Sequence, residues 1–387
     1  MMVVQSILLA TGLLSWAAWG LTWNGVAPGW WLLAVFASSL IVYPALVLRR
    51  YVRMIVKLID ECAPLPSADG RQAERLPGEE VEFPAADGHL LTGTILTGNP
   101  DRAKQGMILF AHEFGSDRTS CLRFCGPLLD EGFDVLTFDF RGHGSSSPGG
   151  GYRPRQWASD REVSDMRGAL AFAETYLISQ GRKVALGVFG VSRGGSAALL
   201  GAAGNPSVRC IAVDGAFSTD TTLEHLMRRF ATTFARIRIV AENHPAAFWR
   251  FLRWLLYREY LKRFRCQFPS VRAAVTRLPH TPILFIHGER DSYIPVAQSQ
   301  ALYEAARGSR QLWIVPAARH NQSVIMRPDE YAARLVAFFG DYLNPAAPAR
   351  TGGGIERHHR SPRVAGASDR ARRDHLVGAK SGRASLG

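Results

Sequence analysis

Gly190-Val191-Ser192-Arg193-Gly194-Gly195 follows the apolar run 184–189 and opens the small-residue segment 196–203. The order reads as a strand, a sharp turn and a helix, with one serine at the apex. A serine on so tight a turn sits in strained backbone, so the residues two before and two after it must be small. Gly190 and Gly194 meet that demand. Such a turn lifts the Ser192 hydroxyl above the sheet and aims the N-terminus of the following helix at it. A Gly/Ser turn after any buried strand satisfies the same pattern, so the decision rests on what lies elsewhere in the chain.

Around this stretch, short apolar runs alternate with helical patterns. The runs cover residues 107–111, 135–138, 184–189, 210–213, 283–286 and 312–315. Upstream, two further strand-like segments flank Asp87-Gly88, a hairpin signal. Residues 160–180 carry Val163, Met166, Leu170, Ala173 and Leu177 at helical spacing, with Gly181 as a stop. Apolar strands separated by helices predict an α/β fold with a mostly parallel sheet covered on both faces.

The order of motifs resembles the α/β-hydrolase superfamily over about residues 81–343. After the third strand comes His112-Glu113-Phe114-Gly115-Ser116, similar to the family's His-Gly-x-Gly loop. After the fourth comes Asp139-Phe140-Arg141-Gly142-His143-Gly144-Ser145, similar to its Asp-x-Arg-Gly-x-Gly-x-Ser turn. The Ser192 turn is the third match. His287-Gly288-Glu289-Arg290-Asp291 stands where the family carries its acid, and Arg319-His320-Asn321 where it keeps its histidine. The resemblance implies Ser192 as nucleophile, His320 as base, Asp291 as the acid, and the N–H groups of Phe114 and Arg193 as the oxyanion hole. The order Ser…Asp…His is the one this fold uses. It also implies ester or thioester cleavage, in the manner of a membrane-anchored serine esterase or thioesterase, without metal or organic cofactor. Glu113 departs from the family's Gly and could narrow the pocket or pair with an Arg. Asp139 and Asp214 compete for the acid's role; His112, His143 and His287 read as structural. Peptidase or acyltransferase chemistry on the same triad, and a non-catalytic membrane scaffold, are the alternatives.

Residues 1–48 contain no Asp, Glu, Lys or Arg. Two apolar runs, 3–23 and 30–48, flank a turn signal at Asn24-Gly25, and each is close to the roughly 20 residues that span a bilayer. Trp19, Trp23, Trp30 and Trp31 cluster about that turn, and Arg49, Arg50, Arg53 and Lys57 follow the second run. This predicts a two-span anchor over 1–50 with the catalytic domain on the cytoplasmic side of the plasma or inner membrane. A cleaved leader needs a positive n-region, which is missing here. Residues 51–80 read as a juxtamembrane linker and 81–344 as the hydrolase domain.

An insertion at about 216–279 predicts a helical lid. Its second helix is rich in Phe, Trp and Tyr and in Arg, and is expected to rest on the membrane and admit lipid-like acyl substrates, with Trp249 and Trp254 as contacts. The net charge is +13. Nine Lys/Arg against three acidic residues fall in 345–387, which reads as a disordered basic tail attracted to anionic headgroups. Aromatic interleaving is missing from it, so no specific nucleic-acid partner is expected. The five cysteines are odd in number and scattered, so no disulfide framework is indicated and a reducing compartment is expected. Cys121 and Cys125 have no second ligand pair for a metal. Nothing in the pattern specifies an oligomeric state.

Overall fold

A computed structural model describes residues 37–38, 41–42, 45–46, 48–57, 76–150, 152–234 and 245–344. Its centre is an eight-stranded sheet in the order β1-β2-β4-β3-β5-β6-β7-β8. The strands are β1 (Glu79–Pro84), β2 (Leu90–Leu96), β3 (Gly106–Ala111), β4 (Phe133–Phe138), β5 (Leu186–Val191), β6 (Val208–Asp214), β7 (Ile283–Gly288) and β8 (Arg310–Val315). The β1–β2 hairpin turns at Asp87-Gly88, and β2 runs antiparallel to β4. From β4 to β8 every pairing is parallel. The predicted α/β-hydrolase arrangement of the sheet is therefore present.

The alternation of side chains in each strand feeds two apolar layers. In β3, Met107, Leu109 and Ala111 enter one cluster, while Ile108 and Phe110 enter the other. Both faces of the central strands are buried, which is why β3, β5 and β7 read as apolar runs.

On the first face lie α3 (Asp160–Ser179), α4 (Arg193–Ala202), α7 (Val271–Val275) and α8 (Ala297–Ala305). The second carries α2 (Cys121–Asp130), a short α9 (Ser323–Met326) and α10 (Pro328–Leu343). Helix α3 starts at a capping box, in which the Ser159 hydroxyl accepts from a backbone N–H and Glu162 accepts from the Ser159 N–H. Its Val163, Met166, Leu170, Ala173 and Leu177 are all buried. Cys121 and Cys125 sit on the buried side of α2, and burial pushes the Cys121 thiol up to about 12. They act as small apolar core residues.

A third apolar cluster lies over the strand ends. It joins α5 (Thr219–Phe234) and α6 (Ala246–Phe264) of the insertion to a helix over residues 48–57, here α1. Val52, Ile55 and Val56 of α1 are buried with Trp249, Leu252, Leu256 and Tyr260 of α6. The expected linker thus begins with a helix packed on the folded domain, because its three inward residues recur at helical spacing. Within α6 the expectation for Trp249 is corrected: it is buried, while Trp254 is half exposed.

Among the described residues no helix is long and apolar enough to cross a membrane. The predicted spans, the rest of the linker to residue 75 and the basic tail lie largely or wholly outside the described residues.

Candidate active site

Strands β3, β5, β7 and β8 all end at the same edge of the sheet, where a parallel α/β sheet places its functional loops. The loop after each contributes one part of the site.

Ser192 follows β5 directly and serves as the N-cap of α4, with φ 53° and ψ −119°. A non-glycine residue at such angles is strained and is held only by its surroundings. Its N–H donates to the Asp214 carbonyl at 2.7 Å. The flanking glycines are sterically required. A Cβ on Gly190 would lie 2.6 Å from the Gly195 Cα, and one on Gly194 would lie 2.2 Å from the Ala111 carbonyl oxygen.

Ser192 Oγ is 2.8 Å from His320 Nε2, and His320 Nδ1 is 2.6 Å from Asp291 Oδ2. Residues 128 and 29 positions apart are thereby brought into one hydrogen-bonded line. The carboxylate can only accept, so Nδ1 carries the proton and Nε2 is free to accept from the serine hydroxyl. The other carboxylate oxygen, Asp291 Oδ1, accepts the N–H groups of Tyr293 at 2.9 Å and Ile294 at 2.8 Å. His287 Nε2 approaches Oδ2 at 3.4 Å. Burial works against the Asp291 charge, but the hydrogen bonds from His287 and His320 and from the Ile294 N–H outweigh it. The carboxyl is held well below the usual carboxylate range.

The competing acids lie elsewhere. Asp214 accepts from Ser323 Oγ and Tyr331 Oη, both at 3.1 Å, and burial raises its carboxyl to about 6. Asp139 accepts the N–H groups of Arg118 at 2.7 Å and Ser145 at 2.8 Å, tying the loop after β4 to the start of α2.

The loop after β3 is organised by His112. Its Nε2 accepts from the Phe140 N–H at 3.2 Å, so Nδ1 donates to the Glu113 carbonyl at 2.7 Å. Burial, with the Arg193 charge adding to it, lowers the ring to about 3, so it stays neutral. In a trans peptide the C=O and N–H point opposite ways. Holding the Glu113 carbonyl against His112 therefore turns the Phe114 N–H away from it. The Arg193 N–H is the first of α4 and has no acceptor within the helix. Glu113 itself is buried, with Ser120 Oγ donating to Oε2 at 3.1 Å, and burial raises its carboxyl.

Behind these two amides lies a network of buried side chains that spacing alone does not reveal. Arg193 is fully buried. It donates to the Arg155 carbonyl at 3.0 Å and to His143 Nε2 at 3.2 Å, and lies 3.6 Å from Glu162. Its guanidinium stands 5.0 Å from the Phe114 ring centroid and 5.2 Å from that of Phe140. Glu162 also accepts from Tyr152 Oη at 2.5 Å. The one signal available in the sequence was a charged residue inside the Ser192 turn. His287, which the sequence marks as structural, stands 3.4 Å from Asp291 Oδ2.

Residues 108–334 match the model of the Alpha/beta hydrolase family. The chain belongs to that family. It is 25% identical over 273 residues to the Uncharacterized protein YfhR of Escherichia coli (strain K12), covering 69% of this chain and 82% of that one. It is 26% identical over 245 residues to the Uncharacterized protein YqkD of Bacillus subtilis (strain 168), covering 61% and 72%. Among solved structures, the Pyrococcus furiosus esterase Pf2001 superposes with a TM-score of 0.50 at 22% identity, over 69% of this chain and 93% of that one. At that identity the likeness is one of fold.

Proposed function

We propose that this protein is a membrane-anchored serine hydrolase that cleaves carboxylic ester or thioester bonds through an acyl-enzyme. The observation that carries the reading is the line Ser192 Oγ–His320 Nε2–Asp291 at 2.8 and 2.6 Å, built on a serine held at positive φ.

Ser192 Oγ attacks the acyl carbonyl carbon while its proton passes to His320 Nε2. The carbonyl oxygen becomes an oxyanion that accepts from the Phe114 and Arg193 N–H groups. When the intermediate collapses, the bond to the leaving oxygen or sulfur breaks and the imidazolium protonates it. Water then attacks the acyl-enzyme by the same route, His320 taking its proton and returning it to Ser192 as the acid leaves. Asp291 keeps the imidazole tautomer and offsets its charge when protonated. Each oxyanion donor lowers the barrier by about 3 kcal/mol.

The charge-free stretch 1–48 and the cluster of Arg49, Arg50 and Arg53 support the anchor, with the catalytic domain on the cytoplasmic side. Lipid-like acyl esters are then the substrate class.

A fluorophosphonate probe tests the chemistry. Wild type is expected to be labelled and to hydrolyse p-nitrophenyl esters, and Ser192→Ala to do neither. A folded wild type that stays unlabelled would overturn the reading.

A further inference from the structure

Helix α6 is apolar on two sides. Trp249, Leu252, Leu256 and Tyr260 form its inward stripe and are buried. On the opposite side Phe251, Trp254 and Leu261 are 49%, 49% and 48% exposed. The Phe251 and Trp254 rings stack at 5.8 Å, and the Arg258 guanidinium covers Trp254 at 4.8 Å. Water on large stacked aromatic surface is unfavourable, and a contiguous exposed apolar patch marks a binding face.

The chemistry around the patch says what it meets. Helix α6 carries five Lys/Arg and one acidic residue, Glu259. Arg253 pairs with Glu224 at 3.2 Å, while Arg250, Arg258 and Lys262 are exposed. Helix α1, joined to α6 through the third cluster, turns Arg49, Arg50, Tyr51, Arg53 and Met54 outward. The first acidic residue of the chain is Asp60. Just before α1, Ile41, Val42 and Leu46 are 73%, 53% and 58% exposed, and they continue a run without any charge back to residue 1. Aromatic side chains among cations, beside an uncharged apolar stretch, match the interface of an anionic bilayer: rings at headgroup depth, guanidinium groups on phosphate.

We propose that the outward faces of α1 and α6 form a platform that lies on an anionic lipid bilayer. The proposal rests on the anchoring reading for proximity to lipid, and is independent of the hydrolase chemistry. One consequence concerns the site. The cluster under the platform also contains Phe217 and Ile294. The Phe217 carbonyl accepts from Ser196 in the first turn after the nucleophile, and the Ile294 N–H donates to Asp291. Lipid contact is thus made by the layer that adjoins the triad.

Depth-dependent quenching tests it on the full chain. In a Cys62→Ser background the four remaining cysteines are buried. Bimane is attached at Phe251→Cys, at Trp254→Cys in a second variant, and at Ile178→Cys, which is 66% exposed on α3. Each is reconstituted in phosphatidylcholine–phosphatidylglycerol vesicles with brominated acyl chains. Quenching several-fold stronger at 251 and 254 than at 178 is expected. It should weaken when Arg250→Glu and Arg258→Glu are combined or when phosphatidylglycerol is omitted. Vesicle-bound protein quenched no more at 251 and 254 than at 178 would overturn the platform and leave the anchor standing. Protein that does not associate with vesicles would overturn both. Bimane shielded from iodide but not quenched by brominated lipid would give the face to a protein partner and overturn the proposal.

Discussion

The Arg193 guanidinium stands 5.0 Å from the Phe114 ring centroid, and in the reaction proposed above these are the two residues whose backbone N–H groups receive the oxyanion. One of the pair therefore holds the other. The Arg193 amide is set by the first turn of α4, and its side chain fixes the Phe114 side of the hole through ring contact and through His143. Arg193→Met removes the charge and leaves the buried Glu162 with its Tyr152 and Ser159 hydrogen bonds but without the cation 3.6 Å away, so stability falls as well. The informative readout is kcat per fluorophosphonate-titrated site. It should drop roughly 10²-fold with KM for a short ester little changed, as expected for a misplaced donor. Phe114→Leu, which keeps the amide and loses the ring, should lower kcat in the same direction. A lower melting temperature with unchanged kcat per titrated site would reduce Arg193 to a purely structural role.

Two buried aspartates lie near His320, and only one contacts it. Asp291→Asn is expected to lower kcat by about 10⁴-fold, since the amide stabilises the wrong imidazole tautomer and cannot offset the imidazolium. Asp214→Asn should cost less than about tenfold, because Ser323 and Tyr331 hold that side chain away from the imidazole. Steady-state kinetics on both variants decides. A larger loss in Asp214→Asn would make it the acid.

The depressed Asp291 carboxyl also has a thermodynamic consequence. Its folded-state affinity for protons lies below the ordinary value of 3.8. The unfolded chain then binds the extra proton first as the pH falls. The contribution to stability is complete above about pH 4 and is lost as the pH drops below it. Urea unfolding of wild type should show this acid limb, and Asp291→Asn should flatten it. Equal pH slopes for the two proteins would contradict the assignment.

Glu113 behaves in the opposite sense. Burial raises its carboxyl above the ordinary 4.5, so the folded state holds the proton longer and stability declines as the pH rises above that value. Glu113→Gln keeps the shape and the Ser120 contact without the charge. It should be more stable than wild type at pH 8 and equal to it near pH 4, with kcat within a few-fold. A large loss of kcat would show that the carboxylate acts in the reaction.

Much of this molecule is legible in its residues. The central strands carry apolar runs because helices cover both sheet faces there, whereas edge strand β1 is mostly polar and exposed, and the run-and-motif order specifies the family's sheet. Gly190 and Gly194 announce the tight turn because backbone lies within 2.6 Å of where their Cβ atoms would be. Candidate residues at strand ends were legible for the same local reason: a parallel sheet gathers those ends at one edge.

Tertiary structure decided what no local pattern encodes. Spacing could not say whether Asp291 or Asp214 meets His320, since one ends β6 and the other follows β7 at the same edge; the choice is made by Ser323 and Tyr331 on α9 and α10, which hold Asp214. Helical periodicity could not orient α6, because both of its stripes are apolar, and only packing against α1 and α5 buries Trp249 and leaves Trp254 outside. Nor could it show that the side chain of Arg193 closes on Phe114, 79 residues earlier. Local sequence sets backbone conformation and side-chain period, whereas the partner of a buried charge or ring is chosen by the elements that meet around it.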